Sequence, residues 1–75
     1  MRARDLQVDP EGILWERRFS EKIGWYEVAK RQDSARYWQL LIAVQARKAS
    51  CNAGEWHYWI APDGETVLRR AIDHH

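Results

Sequence analysis

The stretch GEWHYWIAPDGETVLRR, residues 54–70, decides how this chain folds. EWHYWI alternates along Glu55–Ile60, and TVLRRAI over Thr66–Ile72 is a β-rich run, so the two read as strands. Between them APDGE supplies a turn: Pro62 presets φ, Asp63 bonds back to the backbone, and Gly64 tolerates positive φ. The segment is expected to be a β-hairpin. A type I turn with a bulge at Gly64 sets Tyr58 opposite Leu68, Ile60 opposite Thr66 and Trp56 opposite Arg70 on one face. His57 opposite Arg69 and Trp59 opposite Val67 then fall on the other face.

Working back from the hairpin, RQDSARYWQLLIAVQARKAS over residues 31–50 reads as a helix. Asp33 or Ser34 caps its first turn. Tyr37, Leu41 and Val44, flanked by Trp38 and Leu40, form one stripe at the spacing a helix buries against a sheet. Arg47 and Lys48 are placed in the last turn, where the negative end of the helix dipole favours cations, and Asn52 or Gly54 is expected to take the left-handed cap. Further upstream, Ile13, Trp15 and Phe19 share one parity and Leu14, Glu16 and Arg18 the other, with Arg17 interrupting the apolar face. That is a half-buried strand. SEKIG provides a turn, and Trp25–Arg31 a second strand with Tyr26 and Val28 on one face. Residues 1–12, polar and closing on Asp9-Pro10 and Gly12, read as an N-terminal arm. The order strand, strand, helix, strand, strand predicts an α+β fold: a small antiparallel sheet with one helix packed on one face, as a single domain over residues 13–75.

The composition narrows the function classes. At 75 residues the chain makes one domain, and 45% hydrophobic content with five tryptophans is enough for a compact core. A single cysteine, Cys51, excludes an internal disulfide framework; small secreted domains usually rely on one, so the reading is cytoplasmic. No stretch approaches the roughly 18 apolar residues of a membrane span. A net charge of +1 argues against a protein that coats nucleic acid. The bases do cluster in pairs, Arg17-Arg18, Lys30-Arg31, Arg47-Lys48 and Arg69-Arg70, but neighbours on a strand point to opposite faces and do not make a patch by themselves.

Chemistry-bearing motifs are weak. Cys51, His57, His74 and His75 show no zinc-site spacing, and no metal or cofactor is expected. A dyad of Cys51 and His57 would place the thiol at a helix C-terminus, whose field raises a thiol pKa. Glu16, Glu27 and Glu55 form no pair suited to acid-base work. The chain therefore reads as non-catalytic.

Binding remains. A sheet with a helix on one side leaves its other face to water, so Trp59, His57, Arg69 and Val67 are expected to form an exposed aromatic-basic patch. The leading reading is a small regulatory or inhibitory protein that docks this patch on a larger protein. Trp25 and the arm, with Arg2 and Arg4, would add secondary contacts. Compact accessory proteins of phages and mobile elements show the same economy. The alternative is a nucleic-acid-binding module in which Trp59 stacks on bases while Arg18, Lys30 and Arg69 track the backbone. A third reading has the same patch close a two-fold homodimer.

Overall fold

The computed structural model describes residues 6–30 and 34–72. The described elements are β1 (Leu6–Val8), β2 (Leu14–Ser20), β3 (Gly24–Ala29), α1 (Ala35–Gln45), β4 (Ser50–Ala53), β5 (Trp56–Ile60) and β6 (Val67–Ala71). All strand pairs are antiparallel, in the order β1-β2-β3-β6-β5-β4. Two three-stranded meanders thus meet at β3 and β6, and α1 packs against β4, β5 and β6. The α+β fold with its helix on one sheet face is as the sequence predicts, with β1 and β4 as added edge strands.

Both edge strands have a local cause. The carboxylate oxygen Oδ1 of Asp9 accepts the N–H groups of Glu11 and Ile13, each at 2.9 Å, and the Gly12 N–H donates to the Asp9 carbonyl at 2.9 Å. This tight turn folds Leu6–Val8 back onto β2, so part of the expected arm is regular structure. At the other edge, the left-handed residues that close the helix are Lys48 (φ 62°) and Ala49 (φ 67°), which overturns the cap expected at Asn52 or Gly54; Gly54 is left-handed as well (φ 61°) but lies in the turn between β4 and β5. The N–H of Ala49 reaches the Val44 carbonyl and that of Lys48 the Gln45 carbonyl, both at 3.1 Å, the two bonds of a Schellman closure. Closing this early places Arg47 and Lys48 beyond the helix and releases Ser50–Ala53 to pair with β5. At the other end Ser34 is the cap, its hydroxyl accepting the Tyr37 N–H at 3.2 Å. Arg2, Arg4, Arg31, Asp33, His74 and His75 lie outside the described residues.

The hairpin forms where predicted, but its register differs by one residue. Gly64, at φ 78°, donates its N–H to the Ala61 carbonyl at 2.9 Å, closing the expected turn. Asp63 then goes further: Oδ1 accepts the N–H groups of both Glu65 (2.8 Å) and Thr66 (2.9 Å), and Oδ2 the Thr66 hydroxyl (2.6 Å). This draws Glu65 into the loop, and the strands pair as Ile60↔Val67, Trp59↔Leu68, Tyr58↔Arg69 and His57↔Arg70. A one-residue slip exchanges the two faces of a strand. Val67 and Arg69 therefore point to the helix side and Leu68 and Arg70 to the open side, which corrects the expected exposure of Val67 and Arg69.

The core is where the helix meets this inward face. Trp15, Ala29 and Val67 on the sheet are buried with Tyr37, Leu41 and Val44 of α1, and Cys51, Tyr58 and Ile60 pack against them. The helix stripe is the one read from the sequence. Tyr37 also ties helix to hairpin: its hydroxyl donates to the Glu65 carbonyl and accepts the Val67 N–H at 3.3 Å. The inward face that starts with Trp15 continues through Arg17 to Phe19, but Phe19 lies past the helix and is exposed.

Arg69 is buried, at 4% exposure, and every feature around it accommodates a charge. Its guanidinium lies between the rings of Trp15 (4.0 Å) and Trp56 (3.8 Å), and Nε donates to Glu27 at 2.7 Å. The Trp15 indole N–H donates in turn to Asp9 Oδ2 at 3.0 Å. Burial pushes the Asp9 carboxyl up, but the bonds from Trp15, Ile13 and Glu11, with the charge of Arg69, outweigh it and hold the group below its ordinary 3.8.

Candidate functional site

Strand alternation and the observed register determine what the open face carries. Across neighbouring strands, Trp59, Leu68, Val28, Glu16 and Leu6 are aligned in one row, and His57 sits opposite Arg70 in the next. Tyr26, two residues before Val28, shares this side and lies opposite Arg18. The helix covers the reverse side, so this surface is free of described elements.

Trp59 is the centre of an aromatic cluster. Its ring stacks on His57 with centroids 5.8 Å apart and planes at 25°, and meets Tyr26 at 6.3 Å and 44°. The indole is partly buried by these neighbours, so it is held in place, as a binding anchor requires. His57 is itself oriented by Asn52, to whose side-chain oxygen Nδ1–H donates. With Nδ1 engaged in that bond, Nε2 is the ring nitrogen not committed to it.

The charges beside the cluster are partly spent. Glu16 accepts from Arg18 Nη2 at 2.7 Å and Nε at 3.2 Å, and from Lys30 Nζ at 3.4 Å. The hydrogen bond from Arg18 is the main cause that holds the Glu16 carboxyl below its ordinary 4.5, with Lys30 adding to it against a smaller effect of desolvation. The same bond raises Arg18. Arg70 has no carboxylate within ion-pair distance among the described residues. A shallow depression of about 380 Å³ lies alongside, lined by Arg18, Tyr26, Val28, Lys30, Thr66 and Leu68 among others.

Of the residues singled out from the sequence, the structure brings Trp59, His57, Arg18 and Lys30 to one face. It removes Val67 (0% exposed) and Arg69 to the core, because the longer loop reverses the facing of β6. Trp25 is exposed, at 53%, but on the helix side, opposite Phe19. Sequence reasoning missed Arg70 and Leu68, which take the places expected of Arg69 and Val67, and missed Tyr26 as a neighbour of Trp59. The signal for the first two was Asp63, whose carboxylate can accept two successive N–H groups and lengthen the loop. For Tyr26 it was the pairing of β3 with β6, which joins residues 40 and 42 positions apart and which no local pattern announces.

The Cys51–His57 dyad weighed in the sequence does not assemble. Cys51 pairs with Tyr58 on the helix side while His57 is on the open side, so the two cannot act as a dyad. No group of three or more His, Cys, Asp or Glu residues among those described is placed to hold a metal ion. No described helix is long and apolar enough to cross a membrane. No family model matches the chain, and comparison with curated proteins and with solved structures gave no significant match.

Proposed function

We propose that this protein is a small non-catalytic binding module that docks on a larger protein through the open face of its sheet, acting on that partner as a regulator or inhibitor. The observation that carries the reading is the oriented cluster of Trp59, His57 and Tyr26, with Leu68 beside it and, at its edge, Arg70, which has no carboxylate partner among the described residues. Aromatic anchors held by their neighbours and a nearby arginine are the residue types enriched at the hot spots of protein interfaces. Binding there costs little conformational entropy, because the rings are already packed.

Charge favours a protein over nucleic acid as the partner. Arg18 and Lys30 share Glu16, and Arg69 faces the other way, so the cations proposed to track phosphates are neutralised or absent from this face. The stacked His57 also occupies one side of the Trp59 ring, where a base would otherwise lie. The test is affinity capture from lysate with wild-type and Trp59→Ala baits, each with and without nuclease. The reading expects a protein retained by the wild type in both conditions and lost from the variant. Retention that disappears with nuclease supports the nucleic-acid alternative, and equal retention by both baits removes Trp59 from the site.

A further inference from the structure

We infer that the helix side of the sheet carries a second docking site, a cleft between β3 and β6 that takes an acidic peptide segment with a large apolar residue next to its carboxylate. The two central strands are in register only at Glu27↔Arg69 and Val28↔Leu68. By contrast β2 and β3 pair at every position from Trp15↔Ala29 to Ser20↔Gly24. Past Glu27 and Arg69 the sheet opens into a cleft of about 260 Å³, lined from the helix side by Arg17, Trp25, Glu27, Trp56 and Ala71 and reached also by Tyr26 and Arg70 of the open side. The helix α1 lies over β4, β5 and β6 and seals Trp15 and Ala29 at one end of β2 and β3, but leaves Phe19 and Trp25 at the other end exposed.

The lining specifies the occupant. Trp25 and Trp56 give it aromatic walls, and Phe19 extends the apolar surface beyond it, 58% exposed and edge-on to Trp25 at 5.2 Å. A space of this size is below the roughly 300–1,000 Å³ of small-molecule pockets, and suits one or two peptide side chains. The Arg17 guanidinium lies 4.3 Å over the Trp25 ring. A guanidinium stacked on an indole keeps its N–H edge free for a carboxylate in bidentate geometry. Among the described residues Arg17 has no carboxylate within ion-pair distance, while Glu27 is already engaged by Arg69 at 2.7 Å. The site thus holds surplus positive charge beside apolar walls. The Glu27 carboxylate in the lining disfavours a polyanion such as a nucleic-acid strand, which would bring several charges at once.

The test uses the intact, 15N-labelled chain, whose five tryptophan indole N–H signals report each ring separately. The probe is an end-blocked hexapeptide with two glutamates flanking a phenylalanine, compared with its diglutamine analogue and with a single-stranded oligonucleotide. The inference expects saturable shifts at Trp25 and Trp56 with the acidic peptide, with Trp15 and Trp59 unmoved, and affinity about tenfold lower for the diglutamine peptide. Arg17→Gln, an exposed change, should lower affinity for the acidic peptide by about tenfold while its melting midpoint stays that of the wild type. Absence of shifts at millimolar peptide, equal binding of the diglutamine peptide, shifts confined to Trp59, or a stronger response to the oligonucleotide would each overturn it. Its anchors, Arg17, Trp25 and Trp56, are on the helix side and are not those of the open face, so its failure leaves the proposed function standing.

Discussion

Arg69→Ala is the perturbation that discriminates most sharply between the observed and expected hairpin registers. The substitution removes a guanidinium held between two indoles at 4.0 and 3.8 Å and strips Glu27 of its 2.7 Å partner. Side-chain exposures of 5% and 14% make this a buried pair. Removing one member of a buried pair costs about 3–5 kcal/mol, because the other charge stays desolvated and uncompensated. A domain of this length has a total stability of about 4–11 kcal/mol at typical values per residue. The variant should therefore lose a large share of its stability, lowering the melting midpoint by at least about 12 °C at the sensitivity usual for this size. Arg70→Ala, one residue along on the open face, should cost under about 0.5 kcal/mol. Urea unfolding followed by tryptophan fluorescence measures both. The double variant Glu27→Gln with Arg69→Met should recover most of the loss, since the buried charge is removed together with its partner. Equal costs at the two arginines, or a loss under about 1 kcal/mol at Arg69, would refute the reasoning.

Other outcomes follow from single side chains. Tyr37→Phe deletes the hydroxyl that bridges the Glu65 carbonyl and the buried Val67 N–H, and should cost about 1–3 kcal/mol in a urea melt. Lys48→Gly relieves a side chain held at φ 62° and should raise stability by about 0.5–1 kcal/mol by the same measurement. Asp9 has its folded-state pKa below the ordinary 3.8. Its contribution is complete above that value and is lost as pH falls through the lower folded value. The urea midpoint should therefore decline in acid below about pH 4, and Asp9→Asn should have a shallower acid decline from a lower starting stability.

How much of this was legible in the sequence depended on distance along the chain. The stripe of Tyr37, Leu41 and Val44 and the turn at Pro62–Gly64 are local patterns, and both stand in the structure. The facing of β6 was decided by one carboxylate accepting two N–H groups instead of one, an energetic detail below the resolution of turn formulae. That single residue of loop moved Arg69 from surface to core. The edge strands escaped notice for a related reason: Leu6–Val8 and Ser50–Ala53 are too short to show periodicity, and each is placed by a turn closing next to it. At the candidate site, Trp59 and His57 were found because alternation along β5 is local. Tyr26 and Arg70 were missed because their places depend on pairing between strands.

The account rests on the open face as the surface that meets a protein partner. Once the captured partner is purified, titration of it against wild-type and Trp59→Ala protein, with the fold of each checked by circular dichroism, tests this most directly. The account predicts an increase in Kd of tenfold or more for the variant at unchanged secondary structure, the effect of losing an interface anchor worth about 1.4 kcal/mol or more. The same Kd for both proteins would contradict it.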